Sequence, residues 1–429
     1  MAPVGLPLER RAEPGARVEM AGARTLSISG AKTSLIRRGS RDYSLEHYAK
    51  QQITPVTIQQ MLLLSNSKQR QKLASALQNE LLVRVAKRFN EMSELPPKLL
   101  ETKPVQRVTM LYYTFFQDLA AMPAPNTEER EKNFNHLCQE FYMRDAATLP
   151  SIARGLRQFK RGPPPVSAST IKMLDAQLDD LFTARLSVRM LIGQQCGIAG
   201  RSKIKRGLCV AEVAREAAEN TRALCLQRFG VCPEIQVKGH LDFKFTYVES
   251  HLHHMLFELL KNSVRAVIEQ HRGAAGAARR KRLRLSADHH LGPDGLPPVL
   301  VAISGGREDV VIKVSDEGGG IPRSEMAKIW SYEYTTIPDE DVRSSEEANE
   351  APVDSDEANI DASATVDEDE EPITFRSNFV GMGYGLPISR VFARYFGGDL
   401  KIMSTEGWGT DAYIYINRLE SAAVETLPE

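Results

Sequence analysis

Residues 254–267 read His254-Met255-Leu256-Phe257-Glu258-Leu259-Leu260-Lys261-Asn262-Ser263-Val264-Arg265-Ala266-Val267, and the fold turns on how this stretch is read. Wound as a helix, it places His254, Glu258, Asn262 and Arg265 at i, i+4, i+8 and i+11, so one face carries a base, a carboxylate, an amide and a cation. Leu256, Leu259, Leu260, Val264 and Val267 form the other face. Polar groups on the ligand-facing side of an amphipathic helix are costly unless something binds there. The ordinary alternative is a solvated polar stripe on a surface helix.

Two later segments bear on that choice. Val314-Ser315-Asp316-Glu317-Gly318-Gly319-Gly320-Ile321-Pro322 ends an alternating apolar run in a carboxylate and three glycines. Gly381-Met382-Gly383-Tyr384-Gly385-Leu386 is a second glycine-rich turn, and it enters a predicted helix. Glycines in such runs permit close backbone approach, and free N–H groups at a helix start suit phosphate oxygens. The order Glu-x-x-x-Asn, Asp-x-Gly-x-Gly, Gly-x-Gly-x-Gly is far more specific than any one member. With Gly409-Thr410 following, it resembles the ATP site shared by gyrase B, Hsp90, MutL and histidine kinases.

The chain of 429 residues is long enough for two cores, and its formal charge balances at zero, so no global field argues for nucleic acid. The five cysteines, Cys138, Cys196, Cys209, Cys225 and Cys232, contain no C-x-x-C pair; neither a disulfide framework nor a zinc site is expected, and a reducing compartment is. No apolar run approaches the roughly 18 to 20 residues of a spanning helix, so membrane insertion is not expected.

Residues 1–41 are rich in Arg, Ser, Ala and Gly and read as a transit peptide or as a disordered basic tail; Glu9, Glu13 and Glu19 are unusual for the former. From 44 to 197 the apolar spacing is helical. Thr54-Pro55-Val56 marks a helix start, Pro96-Pro97 a break, and further helices are predicted over 105–122, around 134–144 and over 171–195. Four helices joined by proline-rich loops suggest a bundle. The stripe Leu174, Leu178, Leu181, Leu186, Met190 and Leu191 reads as core. No histidine falls between Ile171 and Gln195, so a phosphorelay through a bundle histidine is not expected.

Beyond Gly197 the period changes. Short strands are predicted at 234–237 and 243–248, then the Glu258 helix, then strand pairs at 299–304 with 310–314 and at 400–403 with 412–416. Strand pairs mixed with helices indicate an α+β sandwich, helices on one face of a mostly antiparallel sheet, over 230–420. Two charged insertions interrupt it. The basic one, 272–297, contains Arg279-Arg280-Lys281-Arg282-Leu283-Arg284, whereas the acidic one, 339–371, has fifteen acids against one base, Arg343. The acidic segment is too poor in apolar residues to fold, and it lies where related nucleotide domains carry a lid.

His254 to Asn262, Trp330-Ser331-Tyr332-Glu333-Tyr334-Thr335-Thr336, Gly381 to Arg390 and Gly407 to Ile416 together resemble the mitochondrial pyruvate dehydrogenase kinases. Glu80 to Ala86 and Leu186 to Ile192 extend the likeness upstream. The sibling branched-chain ketoacid dehydrogenase kinases share the motifs, but Tyr384 and the Leu191-Ile192 segment look closer to the pyruvate branch. Glu317 and Met382 depart from the family's usual Arg and Phe, and the tail that crosses the dimer in animal relatives is not matched.

The resemblance implies an N-terminal four-helix bundle and a C-terminal ATP-binding sandwich of the histidine kinase, Hsp90 and gyrase B type. It implies a serine kinase of the mitochondrial matrix that uses ATP and Mg2+, acts on the E1 alpha subunit, docks on the E2 lipoyl domain, and pairs with itself or a paralogue. Glu258 would be the general base, His254 would tune it, and Asn262 would ligate Mg2+. Glu258, Asn262, Arg265, Asp316, Gly318, Gly320, Thr335, Thr336, Gly381, Met382, Gly383, Tyr384, Gly385, Leu386 and Thr410 would bind ATP. Two other classes remain open: an ATPase of the Hsp90 or MutL type, which spends the same Glu on water, and a non-catalytic ATP-binding adaptor. The preceding bundle favours the kinase, and intact Glu258, Asn262 and Asp316 argue against the adaptor.

Overall fold

The computed structural model describes residues 35–38, 41–56, 61, 67–163, 165–196, 204–271, 295–332, 334 and 383–419. Most of the basic insertion, all of the acidic one, and most of the N-terminal tail lie outside these residues. At the edge of that tail, β1 (Leu35–Arg38) and β2 (Arg41–Ser44) pair as a short antiparallel hairpin.

The helical part runs α1 (Leu45–Ala49), α2 (Ser67–Ser93), α3 (Pro97–Leu100), α4 (Lys103–Ala121), α5 (Glu128–Asp145), α6 (Thr148–Arg161) and α7 (Ala168–Cys196). Its core holds Leu81, Val85 and Phe89 of α2, Tyr112 and Phe116 of α4, Phe134 and Phe141 of α5, and the predicted stripe Leu174, Leu178 and Leu181 of α7. The chemistry of the ends is visible in α5, where the Thr127 hydroxyl caps Arg130 N and Glu128, Glu129 and Glu131 fill the first turn against the helix dipole. Helix α6 is an addition to the sequence reading, which left 148–161 unassigned. Pro150 sits in its first turn, where the backbone N–H has no intrahelical partner to lose.

The most deeply buried charge of this bundle is a carboxylate. Asp145 accepts hydrogen bonds from Tyr112 Oη and Thr148 Oγ1, both at 3.0 Å, and pairs with Arg185 (2.9 Å) and Arg189 (3.0 Å) of α7. Burial would push its carboxyl up; the two guanidinium groups override that and hold it below the ordinary carboxylate value.

Past α7 the chain continues as β3 (Ile204–Cys209), α8 (Val210–Phe229), β4 (Ile235–Gly239), β5 (Lys244–Val248), α9 (Glu249–His271), β6 (Val299–Gly305) and β7 (Asp309–Asp316). It ends with α10 (Gly385–Tyr395), β8 (Asp399–Thr405) and β9 (Gly409–Asn417). Five strands form a mixed sheet in the order β4-β6-β7-β9-β8, with β4 parallel to β6 and the other three pairings antiparallel. The predicted strand pairs are therefore both present, slightly longer than read. Strands β3 and β5 make a separate two-stranded sheet. Strand β3 and helix α8 were not anticipated; α8 packs alongside α9 and ends in Gly230, whose φ of 70° is the left-handed cap that glycine accepts without strain.

Alternation along the sheet decides which face is covered. Val299, Val301 and Ile303 of β6, Val310, Ile312 and Val314 of β7, and Ala412, Ile414 and Ile416 of β9 share one core with Leu256, Leu260, Val264 and Val267 of α9. Each such side chain contributes about 1.5 to 3 kcal/mol on full burial, so the apolar face of α9 fixes the helix firmly across the sheet. The polar face of α9 is thereby held beside the end of β7.

The two parts meet through the segment after β7. Tyr332 lies in the bundle core with its ring against Phe182, its N–H bonded to Asp175 Oδ1 at 3.1 Å and its hydroxyl to Asp179 Oδ1 at 2.7 Å. Ser331 Oγ donates to Asp175 Oδ2 at 2.7 Å, and Lys160 Nζ donates to Tyr332 O at 3.1 Å. Tyr384, Ile388 and Val391 enter the same core. Both segments flanking residues 335–382 are therefore rooted in the helical bundle.

Candidate active site

Helix α9 divides its polar residues by depth. His254, Glu258 and Lys261 are buried, at 6%, 7% and 4% exposure, whereas Asn262 is exposed and Arg265 half-buried. The expected line of four thus splits into a buried pair and an accessible amide. Arg265 Nε is engaged by Glu269 one turn on, at 2.6 Å.

Glu258 lies between two positive ends. Its Oε1 accepts from Lys261 Nζ at 2.7 Å, and its Oε2 lies so close to Gly385, the first residue of α10, that a Cβ at that glycine would overlap it. The start of a helix carries unsatisfied N–H groups and the positive end of the dipole. Burial would push the Glu258 carboxyl up; the Lys261 ammonium prevails and holds it below the ordinary value. Glu258 is therefore an anion throughout the physiological range.

His254, one turn earlier on the same buried face, has its ring edge-on to Phe392 at 5.0 Å. Burial lowers its pKa to about 4, with Glu258 opposing and Lys261 and His253 assisting, so the imidazole is neutral near pH 7. Lys261 and Ser263 are buried neighbours of Glu258 and Asp316 that the motifs do not single out. Lys261 was legible as the i+3 partner of Glu258; Ser263 carries no signal that distinguishes it from a helix-surface serine.

Ser263 connects the helix to the sheet, donating from Oγ to Asp316 Oδ2 at 2.7 Å, while Gly318 N donates to Asp316 Oδ1 at 2.9 Å. Burial raises the Asp316 carboxyl above its ordinary pKa against these hydrogen bonds. Ser263 and Glu258 are five residues apart, about 7 to 8 Å along the axis, so α9 anchors Asp316 at one point and presents the Glu258 carboxylate at another.

The glycines after Asp316 are there for space. A Cβ on Gly318 would overlap Ala266 of α9, and one on Gly320 would overlap Thr405 O, while Gly319 and Gly320 have φ of 89° and 72°. Gly319 exchanges backbone hydrogen bonds with the β8 to β9 turn, Gly319 N to Trp408 O at 3.0 Å and Gly407 N to Gly319 O at 2.7 Å. Thr410 stands opposite Asp316 in the β7 and β9 register, its hydroxyl 3.0 Å from Ser404 Oγ. At the start of α10, Gly383 has φ of 81°, Tyr384 is buried and Leu386 packs against the sheet core.

His254 and Glu258 thus sit on α9, with Asp316 and Gly318 against its Ser263 and Ala266, Gly385 against Glu258, and Gly320 and Thr410 at the adjoining strand ends. Thr335, Thr336, Gly381 and Met382 lie outside the described residues. Among the described residues no group of three or more His, Cys, Asp and Glu has metal-site geometry, and no helix is long and apolar enough to cross a membrane. A single Mg2+ held by one amide and by nucleotide phosphates needs no such cluster, and the exposed Asn262 amide of α9 could hold one in that way.

Comparison with known proteins bears on both halves. Residues 55–213 match the family model described as mitochondrial branched-chain alpha-ketoacid dehydrogenase kinase, and residues 247–350 match the histidine kinase-, DNA gyrase B- and HSP90-like ATPase model. The chain is 35% identical over 362 residues to the mitochondrial pyruvate dehydrogenase (acetyl-transferring) kinase of Arabidopsis thaliana, covering 83% of this chain and 87% of that one. It is 33% identical to the Drosophila melanogaster enzyme of the same name, covering 90% and 86%, and 30% identical to the Homo sapiens isozyme 1, covering 97% and 89%.

Proposed function

The chain belongs to the mitochondrial pyruvate dehydrogenase kinase family, and from that membership we propose that it is an ATP-dependent protein serine kinase that phosphorylates the E1 alpha subunit of the pyruvate dehydrogenase complex, and so inactivates it, in the mitochondrial matrix. The observation that carries the reading is the buried Glu258 carboxylate at the mouth of the Gly383 to Leu386 turn, on the same helix whose Ser263 holds Asp316. A base at one end of a cleft and an adenine-reading carboxylate at the other suit phosphoryl transfer, in which the protein's work is positioning and electrostatics.

Asp316 would accept the adenine amino group, with Gly318 and Gly320 giving the ring backbone room and Thr410 beside it. The first turn of α10 would cradle the phosphates through its free N–H groups. Asn262 would hold Mg2+, which, when bound, neutralises and orients the phosphate oxygens. The serine Oγ of E1 would attack the γ-phosphorus as the bond to the β-γ bridging oxygen breaks and ADP leaves; the serine proton passes to a Glu258 oxygen. His254, neutral and packed against Phe392, would fix the carboxylate's orientation. Docking of the bundle on the E2 lipoyl domain would raise the local concentration of E1, an effective-concentration gain without new chemistry. Pairing with a second copy or a paralogue completes the assembly.

The pyruvate branch is preferred to the branched-chain one on the names of the relatives and on Tyr384. Glu258→Gln tests the base. Transfer to E1 should fall about 100-fold to 10,000-fold with ATP binding retained, whereas Asn262→Ala should weaken binding of Mg-ATP. Labelling of E1 by Glu258→Gln at the unaltered rate would remove the assignment.

A further inference from the structure

A carboxylate held below its ordinary pKa is a weak base, and Glu258 is held there by the ammonium of Lys261. That pair poses a question the proposed reaction leaves open: what frees the base at the moment it is needed? Both oxygens of Glu258 lie against features that attract any anion, Oε1 on Lys261 Nζ at 2.7 Å and Oε2 against the first residue of α10. The same helix start is the phosphate cradle of the proposed site. In the structure, therefore, the carboxylate stands where the positive groups of a phosphate site converge.

We propose that Lys261 is a positioning residue that the nucleotide takes over: in the free protein it clamps Glu258, and the phosphates of ATP draw its ammonium away and release Glu258 toward the acceptor hydroxyl. The inference rests on the kinase reading for the identity of the acceptor, but the exchange itself concerns only this chain and the nucleotide. No covalent bond changes. One ion pair is replaced by another, and the released carboxylate becomes the stronger base because its nearest cation now neutralises phosphate.

Lys261 is suited to such an exchange. It is buried, its ammonium lies over the Phe257 ring at 5.0 Å from the centroid, and Glu258 is the carboxylate it pairs with. A long flexible stem lets an ammonium swing between partners, where the planar fork of an arginine would bind one carboxylate more rigidly. The groups acting on Glu258 are Lys261 and His254 of its own helix, and His254 is neutral. From α10 the facing turn is Gly385-Leu386-Pro387-Ile388-Ser389, which brings no titratable side chain.

The exchange has a signature that requires no E1. Calorimetry of the full-length protein with the β,γ-imido analogue of ATP and Mg2+, repeated near pH 5.5 to 6 in buffers of different ionisation enthalpy, should show proton uptake on binding, because Glu258 becomes more basic. Glu258→Gln should lose that uptake and bind the analogue at least as tightly as the unaltered protein, since its competitor for Lys261 is neutral. Lys261→Met should bind more weakly and take up no proton, with Lys261→Arg restoring affinity in part. Absence of uptake in the unaltered protein, or the same uptake in Glu258→Gln, overturns the proposal, and neither result depends on Lys261→Met folding. A protein that shows the uptake and labels no E1 would refute the kinase reading and leave the exchange standing. One that labels E1 without the uptake would do the reverse.

Discussion

His254 shows how a single residue ties chemistry to stability. Its spacing from Glu258 was legible in the sequence, but its burial and its packing on Phe392 depend on where α10 lies, which no local pattern encodes. Its pKa falls from 6.5 to about 4 because the ring is buried, so between these values the unfolded chain binds the proton and the folded one does not. Stability therefore rises with pH across that window and is lost as pH falls from 6.5 toward 4. Glu258, also depressed, withdraws its own contribution only below the ordinary carboxylate pKa near 4.5. Between pH 7 and pH 5 the His254 term is about 2 kcal/mol. Urea unfolding at the two pH values should show that loss in the unaltered protein and a smaller one in His254→Gln. Equal losses would mean that His254 is not held neutral by the fold. Lys261, by contrast, is visible in the sequence as the i+3 partner of Glu258, but whether the two are buried together is set by packing.

At the scale of elements, the legible parts were those with a period or a geometric demand. The α9 stripe, the β6 and β7 pair, the β8 and β9 pair and the glycines after Asp316 each impose a pattern on the sequence. Helix α6 escaped because Leu149-Pro150 reads as a break, although a proline in the first turn removes no hydrogen bond. Strand β3 escaped because Lys205-Arg206-Gly207 interrupts its apolar residues, and the register shifts between Lys205 and Leu208 where Gly207 has a φ of 67°. Gly385 is the element-scale feature with the sharpest consequence. Its φ is not in the left-handed region, so alanine is compatible with the backbone there; the obstacle is Glu258 Oε2. Gly385→Ala should cost about 1 to 3 kcal/mol of stability through overpacking. In a Glu258→Ala background most of that cost should vanish, a coupling that a double-mutant cycle reads directly. An equal cost in both backgrounds would show that α10 and Glu258 do not meet as described.

Across the whole molecule, the sequence distinguished two architectures but could not say how they touch. The contact runs through Asp175, Asp179 and Lys160 on the bundle side and Ser331 and Tyr332 on the other, residues that look individually like surface polar groups and an ordinary aromatic. Long-range pairs of this kind leave no periodic trace. Through these contacts the segments on either side of residues 335–382 are both anchored to the helical bundle. The direct test is to incubate the full-length protein with Mg2+ and ATP labelled in the γ-phosphate, together with purified pyruvate dehydrogenase complex or branched-chain ketoacid dehydrogenase complex, and follow the label. The account predicts label on a serine of E1 alpha in the pyruvate complex, with dehydrogenase activity falling in step. Label confined to the branched-chain E1, or phosphate released to water with neither E1 labelled, would contradict it.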